Sequence, residues 1–427
     1  MAVKPFTLAL ALLGLVAWPA RAAAPPTVFH FTPSAAAGGV AVEAGTAYQP
    51  ARGYGFDNGT SPWSGKPWQF SAALTEGNYD VVITFQNAKV AARATVKAEL
   101  RRLMVEQGDT GHHTPANAAA RRFTVNLRNP AIAAKNGMAE GKVDLLPRET
   151  QGEAAAWDNR LTLEIHAESG GVRTIEVVPV AVPTVFLLGD STVADQADEP
   201  YASWGQMLPR FFRQGIAVAN HAESGESLRA SLSRRRIDKV VSLLNPGDLV
   251  LIQFGHNDQK QLFDGVSAPF TTYKHELKTH VDMVRAAGGV PVLVTSVERR
   301  RFDAQGNMST TLNDYADAVR QTAQEMHVPL IDLHAMSRQL YKAMGARASE
   351  ALFAAPPGKQ IDNTHHNAYG AYILARLVAQ GLRETGLPAA QYLSADLGAV
   401  DPARPMALEQ FAVPASPARS AERPRGD

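Results

Sequence analysis

Strand-like and helix-like segments alternate along the chain from Thr184 onward, and this alternation limits the folds that the second half can adopt. Short apolar segments predict strands at 185–188, 216–219, 249–254, 291–295 and 329–331. Amphipathic segments predict helices between them, at 227–244, 273–287 and 312–326. Such alternation is typical of a parallel sheet with helices on both faces. The number of strands suits a doubly wound sheet and is too small for a closed α/β barrel.

The region from 27 to 180 has a different pattern, in which β-branched or alternating segments are separated by turns. The clearest strand predictions are 79–85, 122–127, 161–165 and 172–177. Turn residues separate them, as at 169–171 (Ser-Gly-Gly). This pattern predicts a β-sandwich. At Val182-Pro183 the pattern changes from strands and turns to alternating strands and helices. The predicted fold class is therefore α/β: a doubly wound parallel five-stranded sheet preceded by a β-sandwich domain.

The two ends of the chain differ from the rest. Residues 1–22 combine a positive charge at Lys4, an apolar run over 6–18 and the sequence Ala-Arg-Ala at 20–22. This combination predicts a cleavable signal peptide and a secreted or periplasmic protein, because the apolar run is too short for a membrane anchor. Residues 399–427 are rich in Pro, Ala and Arg with little periodicity, which predicts a mobile tail.

Length and composition limit the function classes. The 427 residues exceed a usual single domain, and we expect two, at 27–180 and 184–398. The chain has no cysteine, which excludes disulfides and thiolate chemistry. A formal net charge of +1 does not indicate a nucleic acid or an anionic membrane as partner. No later segment approaches ~18 uninterrupted apolar residues, so no stable membrane insertion is expected. The sequence makes no prediction of the oligomeric state.

Three short polar blocks supply the parts of a serine ester hydrolase. They are 189–192 (Gly-Asp-Ser-Thr), 255–258 (Gly-His-Asn-Asp) and 362–365 (Asp-Asn-Thr-His), and the first two follow predicted strands. Ligands bind beyond the carboxyl ends of the strands in sheets of this type. Ser191 is therefore the candidate nucleophile, although a serine hydroxyl needs a neighbouring base to remove its proton. By itself, such a serine could equally cap a helix.

His365 and Asp362 are the candidate acid–base pair. Residues three apart in a turn can lie on one side, so the carboxylate of Asp362 can reach one imidazole nitrogen of His365. The other nitrogen is then left to face the serine, as in unrelated triads. His366 is an alternative base. A plainer interpretation is a helix N-terminus with Asp362 or Thr364 as its cap and the histidines on its surface.

Asn257 and Gly225 are candidates for binding an oxyanion. Asn257 offers a side-chain N–H, and Gly225 offers a backbone N–H that a substrate can approach because no side chain is present. With the backbone N–H of Ser191 they would form an oxyanion hole with three donors. Alternatively, Gly225 is an ordinary turn glycine and Asn257 caps a loop.

The blocks, with Gly225 between them, resemble the SGNH hydrolase (GDSL esterase) superfamily. The wider segments 254–259 (Phe-Gly-His-Asn-Asp-Gln) and 365–371 (His-His-Asn-Ala-Tyr-Gly-Ala) are similar to its rhamnogalacturonan acetylesterase branch. The similarity covers about 184–385, roughly half of the chain. The region 27–180 is more loosely similar to the galactose-binding-like modules found ahead of such esterases.

The resemblance implies a function and a set of site residues. It implies a serine esterase that removes acetyl groups from a polysaccharide, first of all rhamnogalacturonan or pectin, with neither a cofactor nor a metal. It assigns Ser191 as nucleophile, His365 as base and Asp362 as the group that orients the base. The Ser191 amide, Gly225 and Asn257 would form the oxyanion hole.

Other functions remain open at this stage. An acetylxylan esterase or another carbohydrate or short-chain esterase would use the same residues. A non-catalytic polysaccharide-binding protein belongs to a different class, in which aromatic residues of the N-terminal region stack on sugars instead of filling a core. Those aromatic residues are Tyr48, Tyr54, Phe56, Trp63 and Trp68.

Two further hypotheses concern charged side chains. A metal-dependent hydrolase could use Asp362, His365, His366, His256 and His221, although their spacing fits no standard zinc signature. One arginine of 299–301 could bind a galacturonate carboxylate, because a guanidinium matches a carboxylate in two-point geometry. The plainer interpretation of these arginines is a solvated loop.

Overall fold

The computed structural model describes residues 26–31, 38–110, 113–114, 117–261 and 268–424. The predicted signal peptide at 1–22 lies outside the described residues, as do residues 425–427. The strands are β1 (Thr27–His30), β2 (Val40–Ala41), β3 (Tyr54–Asp57), β4 (Trp68–Ala73), β5 (Gly77–Phe85), β6 (Thr95–Ala98), β7 (Arg102–Val105), β8 (His113–Thr114), β9 (Asn117–Leu127), β10 (Ala131–Ile132), β11 (Gly141–Lys142), β12 (Arg160–His166), β13 (Val172–Val180), β14 (Thr184–Gly189), β15 (Ala217–Asn220), β16 (Leu249–Gln253), β17 (Val290–Val294) and β18 (Leu330–Ile331). The α-helices are α1 (Ala88–Arg93), α2 (Trp204–Met207), α3 (Leu228–Ser233), α4 (Arg236–Leu243), α5 (Asp258–Gln261), α6 (Lys274–Ala286), α7 (Asn313–Met326), α8 (Leu333–Ala348) and α9 (Ala368–Thr385).

The second half of the chain contains the predicted parallel sheet. Its order is β15-β14-β16-β17-β18, and every neighbouring pair is parallel. In chain order this is 2-1-3-4-5, the flavodoxin-like arrangement. The prediction of a doubly wound five-stranded sheet is therefore confirmed. The order reverses at β14 and β16, so the crevice of this fold lies beyond the carboxyl ends of these two strands.

Both faces of this sheet are buried, which explains the continuous apolar runs of its strands. Val185 and Leu187 of β14 point into one hydrophobic cluster with residues of α2, α8 and α9. Phe186 and Leu188 point into the opposite cluster, with residues of α4, α6 and α7. This alternation follows from the two-residue period of a strand. The sheet is therefore a rigid support for the loops at its edge.

Besides the antiparallel pair β10-β11, the first half forms two larger sheets whose pairs are antiparallel, except for β1 with β2. Their orders are β2-β1-β13-β5-β9-β8 and β3-β4-β12-β6-β7. Val81 and Ile83 of the first sheet lie in the same apolar cluster as Phe70 and Leu163 of the second. The two sheets therefore share a core. We call residues 26–180 the N-terminal unit and residues 184–398 the hydrolase unit.

The aromatic residues of the N-terminal unit are mainly structural. Phe56 and Trp68 are 3% and 1% exposed and lie in the shared core. The ring of Tyr48 lies 4.3 Å from the guanidinium of Arg160. Trp63 differs, because 38% of it is exposed. These positions favour a core role over a continuous sugar-stacking face.

One predicted helix is interrupted. The segment 227–244 forms α3 and α4, separated at Arg235, whose φ is 61°. Arg235 donates to the carbonyl of Ala139, 2.7 Å away in the N-terminal unit, and to the carboxylate of Asp238, at 2.9 Å. The break therefore accompanies contacts with a distant part of the chain. The segment contains neither Gly nor Pro, so no local signal predicts it.

The C-terminal segment, residues 399–424, differs from the predicted mobile tail. Phe411 and Val413 pack against the core of the hydrolase unit. Its backbone pairs with Glu199, whose N–H donates to the carbonyl of Ala418 at 3.0 Å. The hydroxyl of Ser416 donates to Glu164 of the N-terminal unit at 2.7 Å. Widely spaced apolar anchors and backbone hydrogen bonds produce no periodicity, which is why the composition predicted mobility.

The structure also bears on membrane insertion. Over the described ranges, no helix combines the length and the apolar character needed to cross a bilayer.

Candidate active site

Ser191 lies in the tight turn that follows β14. Asp190 holds this turn, because its Oδ1 accepts hydrogen bonds from the backbone N–H and the hydroxyl of Thr192, at 2.9 and 2.8 Å. Its Oδ2 lies 3.1 Å from Nδ1 of His256. Burial alone would raise the pKa of Asp190, but His256 and Thr192 hold it below its usual range. Asp190 is therefore ionised, and both of its carboxylate oxygens have partners in or beside the turn.

A chain of hydrogen bonds joins Ser191, His365 and Asp362. Nε2 of His365 lies 2.9 Å from Oγ of Ser191, and its Nδ1 lies 3.0 Å from Oδ2 of Asp362. The three residues are 2%, 2% and 5% exposed, respectively. This is the geometry in which a carboxylate orients an imidazole and the imidazole removes a proton from a hydroxyl.

A local turn brings the carboxylate of Asp362 to the ring of His365, although the two residues are only three apart in sequence. Oδ1 of Asp362 accepts the backbone N–H groups of Thr364 and His365, at 2.8 and 2.9 Å. The turn is anchored at both ends by Ala354, whose carbonyl accepts from Asp362 at 2.8 Å and whose N–H donates to His365 at 3.0 Å. The carboxylate is thus held by the backbone of the residue that it orients.

Arg423, a residue that sequence reasoning missed, completes the surroundings of Asp362. Its Nε donates to Oδ2 of Asp362 at 2.6 Å and its Nη2 to Oδ1 at 2.7 Å. Burial alone would raise the pKa of Asp362, but the hydrogen bonds from His365 and Arg423 hold it far below the usual range. Asp362 is therefore an anion at any pH at which His365 could act as a base.

Besides the Ser191 amide in the nucleophile turn, the candidate oxyanion donors lie on two neighbouring loops. We call residues 223–226 the oxyanion loop. Gly225 in this loop is exposed, and its φ of 81° is a conformation that favours glycine. Nδ2 of Asn257 donates to the carbonyl of Glu226 at 2.9 Å, which leaves its second hydrogen available. Within the described residues, the backbone N–H groups of Ser191 and Gly225 have no hydrogen-bond acceptor. These free N–H groups are suited to an oxyanion.

His366, the alternative base, does not face the serine. Its Nε2 lies 2.8 Å from the hydroxyl of Tyr341, and its ring packs against Phe353 with centroids 4.5 Å apart. Burial lowers the pKa of His366 to about 3, with the nearby His365 also lowering it. His366 is therefore a neutral, buried structural residue.

The histidines considered as metal ligands have other surroundings. The ring of His221 lies between Trp157 and Phe186, with centroids 5.8 Å from each. Burial, with several nearby cations, lowers its pKa well below the usual value. Of the residues described, no three His, Asp or Glu side chains form a cluster that could hold a metal ion.

A cleft of 520 Å³ opens beside Asp362. It is bordered by Tyr201, the loop 356–363 and residues 421–423 of the C-terminal segment. The ring of Tyr201 stands perpendicular to that of His365, with centroids 6.0 Å apart. The cleft lies at the Asp362 end of the hydrogen-bonded chain, and the C-terminal segment forms one of its walls.

The arginines at 299–301 differ in their surroundings. Arg299 is 8% exposed and donates to Oε1 of Gln259 at 2.9 Å. Arg300 pairs with Glu350 at 2.7 Å. Arg301 is exposed and borders a second cleft, of 420 Å³. Of the three, Arg301 is the most exposed, and Arg300 borders the same cleft.

Comparison with known proteins agrees with this geometry. The GDSL-like Lipase/Acylhydrolase family matches residues 187–373. Rhamnogalacturonan acetylesterase RhgT of Bacillus subtilis (strain 168) is 41% identical over 220 residues, which are 49% of this chain and 93% of that protein. The uncharacterized esterase YxiM of the same organism is 26% identical over 324 residues, or 74% of this chain and 75% of YxiM. A crystal structure of protein YXIM_BACsu from Bacillus subtilis covers 86% of this chain and 100% of its own, with 23% identity and a TM-score of 0.47.

The family match includes all three polar blocks, and the relative at 41% identity is covered almost completely. The resemblance inferred from the sequence is therefore confirmed. The chain belongs to the GDSL-like lipase/acylhydrolase family and is a serine-dependent carboxylic ester hydrolase, with rhamnogalacturonan acetylesterases among its relatives.

Proposed function

We propose that this protein removes acetyl groups from an acetylated polysaccharide, with rhamnogalacturonan as the first substrate to test. One observation carries the chemistry: the hydroxyl of Ser191, the imidazole of His365 and the carboxylate of Asp362 form a continuous hydrogen-bonded chain. The substrate class is supported by the relative at 41% identity, which is named a rhamnogalacturonan acetylesterase.

The first half of the reaction transfers the acetyl group to the enzyme. Oγ of Ser191 attacks the acetyl carbon while its proton moves to Nε2 of His365. The carbonyl oxygen becomes an oxyanion that accepts hydrogen bonds from the N–H groups of Ser191, Gly225 and Asn257. When the tetrahedral intermediate collapses, His365 returns the proton to the sugar oxygen, and the sugar leaves as an alcohol.

The second half releases acetate. Water attacks the acetyl carbon and gives its proton to Nε2 of His365. A second oxyanion forms in the same hole and collapses, and Oγ of Ser191 leaves with the proton from His365. Asp362 stays ionised throughout and stabilises the imidazolium that exists in both halves.

Two further parts of the proposal concern the rest of the chain. The N-terminal unit is a β-sandwich of the galactose-binding-like type, which is supported by the shared core of its two sheets. Residues 1–22 are a signal peptide that directs the protein to the periplasm or the medium, which is supported by their charge and apolar pattern.

The test is acetate release from a panel of acetylated polymers by the full-length protein and by Ser191→Ala. We expect the wild type to release acetate fastest from rhamnogalacturonan, and the variant to lose turnover while its circular dichroism spectrum is unchanged. Faster release from acetylxylan would identify acetylxylan as the preferred substrate instead. Polymer binding without release of acetate from any polymer or from p-nitrophenyl acetate would favour a non-catalytic binding protein. Substantial residual kcat in Ser191→Ala would show that Ser191 is not the nucleophile.

A further inference from the structure

A charged contact joins the N-terminal unit to the oxyanion loop. Arg148 lies in a 3-10 helix (Pro147–Thr150), and its Nε donates to Oε1 of Glu223 at 2.8 Å. Its Nη2 donates to the same carboxylate and to the backbone carbonyl of Ser224. Ser224 directly precedes Gly225, so Arg148 holds the peptide next to a candidate oxyanion donor.

A second contact reaches the other side of Gly225. Oε2 of Glu149, which is fully buried, pairs with Nη2 of Arg236 at 2.5 Å, and Nε of Arg236 pairs with Glu226 at 2.5 Å. Nε1 of Trp157 donates to Oε1 of Glu149 at 3.0 Å and fixes it from within the N-terminal unit. Both residues that flank Gly225 are therefore tied, directly or through one arginine, to the N-terminal unit.

The oxyanion loop is in turn connected to the other site residues. The carbonyl of Glu226 accepts the amide of Asn257 at 2.9 Å. Nε2 of Gln196 bridges the loop and the nucleophile turn, since it donates to the carbonyl of Ser191 at 2.8 Å and to the hydroxyl of Ser224 at 3.2 Å. A shift of the loop would therefore move the oxyanion donors relative to the serine.

From these contacts we infer that the N-terminal unit is a positioning part of the active site, in which Arg148 and Glu149 hold the oxyanion loop in its catalytic conformation. The inference rests on the proposed esterase function. A loop containing a glycine has little conformational preference of its own, so an external contact must fix it. A planar guanidinium does this well because its donors keep a fixed geometry. Displacements of about 1 Å at such a site can lower the rate by about 10²-fold.

The experiment compares two full-length variants that each lose a cation of the N-terminal unit. Arg148→Ala removes the contact with Ser224. Lys135→Ala is the matched control, because Nζ of Lys135 also donates to a backbone carbonyl of the hydrolase unit, that of Leu244 at 2.9 Å, but after α4 rather than in the oxyanion loop. The assay is p-nitrophenyl acetate hydrolysis, since this small ester needs the oxyanion hole but no sugar contacts.

We expect Arg148→Ala to lower kcat by about ten- to a hundredfold with KM within about twofold, because it disturbs transition-state stabilisation. Lys135→Ala should keep kcat within about twofold of wild type at a similar melting temperature, and Arg148→Lys should recover part of the loss through a single contact with Ser224. A wild-type kcat in Arg148→Ala, or equal losses in Arg148→Ala and Lys135→Ala, would overturn the inference. So would an effect confined to KM on acidic polymers, which would instead make Arg148 a substrate contact. Failure of the wild type to hydrolyse any acetyl ester would overturn the proposed function itself.

Discussion

At the scale of single residues, Asp362 explains how a buried carboxylate can remain charged beside a histidine. Its two oxygens accept hydrogen bonds from the His365 ring, from the backbone N–H groups of Thr364 and His365, and from the guanidinium of Arg423. Burial of an unpaired carboxylate would be strongly unfavourable, but each of these donors favours the ionised form. The charge is thereby fixed on the side of His365 that faces away from Ser191.

Asn257 supports a prediction at the same scale. Replacing Asn257 by Ala removes an N–H donor. The hydrogen bond from this donor becomes strong only when negative charge develops on the carbonyl oxygen of the substrate. We expect kcat to fall by about 10²–10³-fold, as for other single oxyanion donors, with KM nearly unchanged. Steady-state kinetics with p-nitrophenyl acetate measure both. Asn136→Ala is the control, because that amide also donates to backbone carbonyls, at the end of α4. Equal kcat values in the two variants would exclude Asn257 from the oxyanion hole.

The candidate site could be predicted where its members are close in sequence or follow strands. Asp362 and His365 are three residues apart, and their contact needs only one turn. Ser191 and Asn257 both follow strands of a parallel sheet, whose carboxyl ends share an edge. Arg423 has no such signal, because it contacts Asp362 from a segment without periodicity. Its role depends on the path of the folded chain and could not be read from local sequence.

At the scale of elements, the C-terminal segment closes one side of the site. It runs beside Glu199 through two backbone hydrogen bonds, from Glu199 to Ala418 at 3.0 Å and from Ser420 to Glu199 at 2.9 Å. Arg423 follows three residues later and reaches Asp362. Beyond the apolar contacts of Phe411 and Val413, the end of the segment is held by backbone pairing with Glu199 and by the charged contact of Arg423 with Asp362, and the second of these bears directly on the site.

Arg423→Ala tests the importance of this contact. Arg423 is about half exposed, and ion pairs of this kind contribute about 1 kcal/mol or less, so we expect kcat to fall by no more than about fivefold. The pKa of Asp362 should rise when Arg423 is lost. A carboxylate whose pKa is lowered by folding stabilises the folded protein at pH values above the ordinary pKa of the carboxylate. This contribution is lost as the pH falls through the lowered pKa. Acid destabilisation should therefore begin at a higher pH in the variant.

The measurement for this prediction is the melting temperature between pH 7 and pH 3, together with kcat at neutral pH. Arg419→Ala is the control, because Arg419 lies in the same segment with an exposed side chain. If Arg423→Ala and Arg419→Ala gave the same pH profile, the contact with Asp362 would have no role in holding the carboxylate.

Element types were more predictable than their interruptions. The five strands of the parallel sheet were found because their apolar runs are long and are separated by amphipathic segments. The break between α3 and α4 was not, since Arg235 adopts its left-handed conformation together with a contact to Ala139, about a hundred residues earlier in the chain. Tertiary contacts of this kind override local preference and carry no local signature.

At the scale of the whole molecule, buried charges determine how the two units fit together. Arg102 of β7 pairs with Asp195, beyond the nucleophile turn, at 2.6 Å, and both side chains are 1% exposed. Lys239 of α4 pairs with Glu76 of the N-terminal unit at 2.6 Å. A different docking of the units would leave the buried charges of Arg102, Asp195 and Lys239 without these partners, at a cost of several kcal/mol. The ion pairs therefore favour one relative placement, and the oxyanion loop depends on that placement.

Glu164 connects two strands of the N-terminal unit with the C-terminal segment and supports a prediction about stability. It lies in β12, pairs with Lys97 at 3.5 Å and His166 at 2.7 Å, and accepts the hydroxyl of Ser416 from the C-terminal segment. Burial alone would raise the pKa of Glu164, but these partners lower it from 4.5 to about 2. Because folding lowers this pKa, the charged form stabilises the protein above pH 4.5, and the stabilisation is lost as the pH falls towards 2.

Glu164→Gln keeps the shape of the side chain and removes its charge. We expect the variant to have a lower free energy of unfolding at pH 7, by at most on the order of 3 kcal/mol, and the difference from wild type to shrink steadily below pH 4.5. Chemical denaturation at pH 7 and at pH 3 measures both values. Glu168→Gln is the control, because Glu168 forms a surface pair with Arg93 in which both side chains are more than half exposed, so its loss should change little at either pH. A difference between Glu164→Gln and wild type that stayed constant from pH 7 to pH 3 would show that the charge of Glu164 does not hold the C-terminal segment to the N-terminal unit.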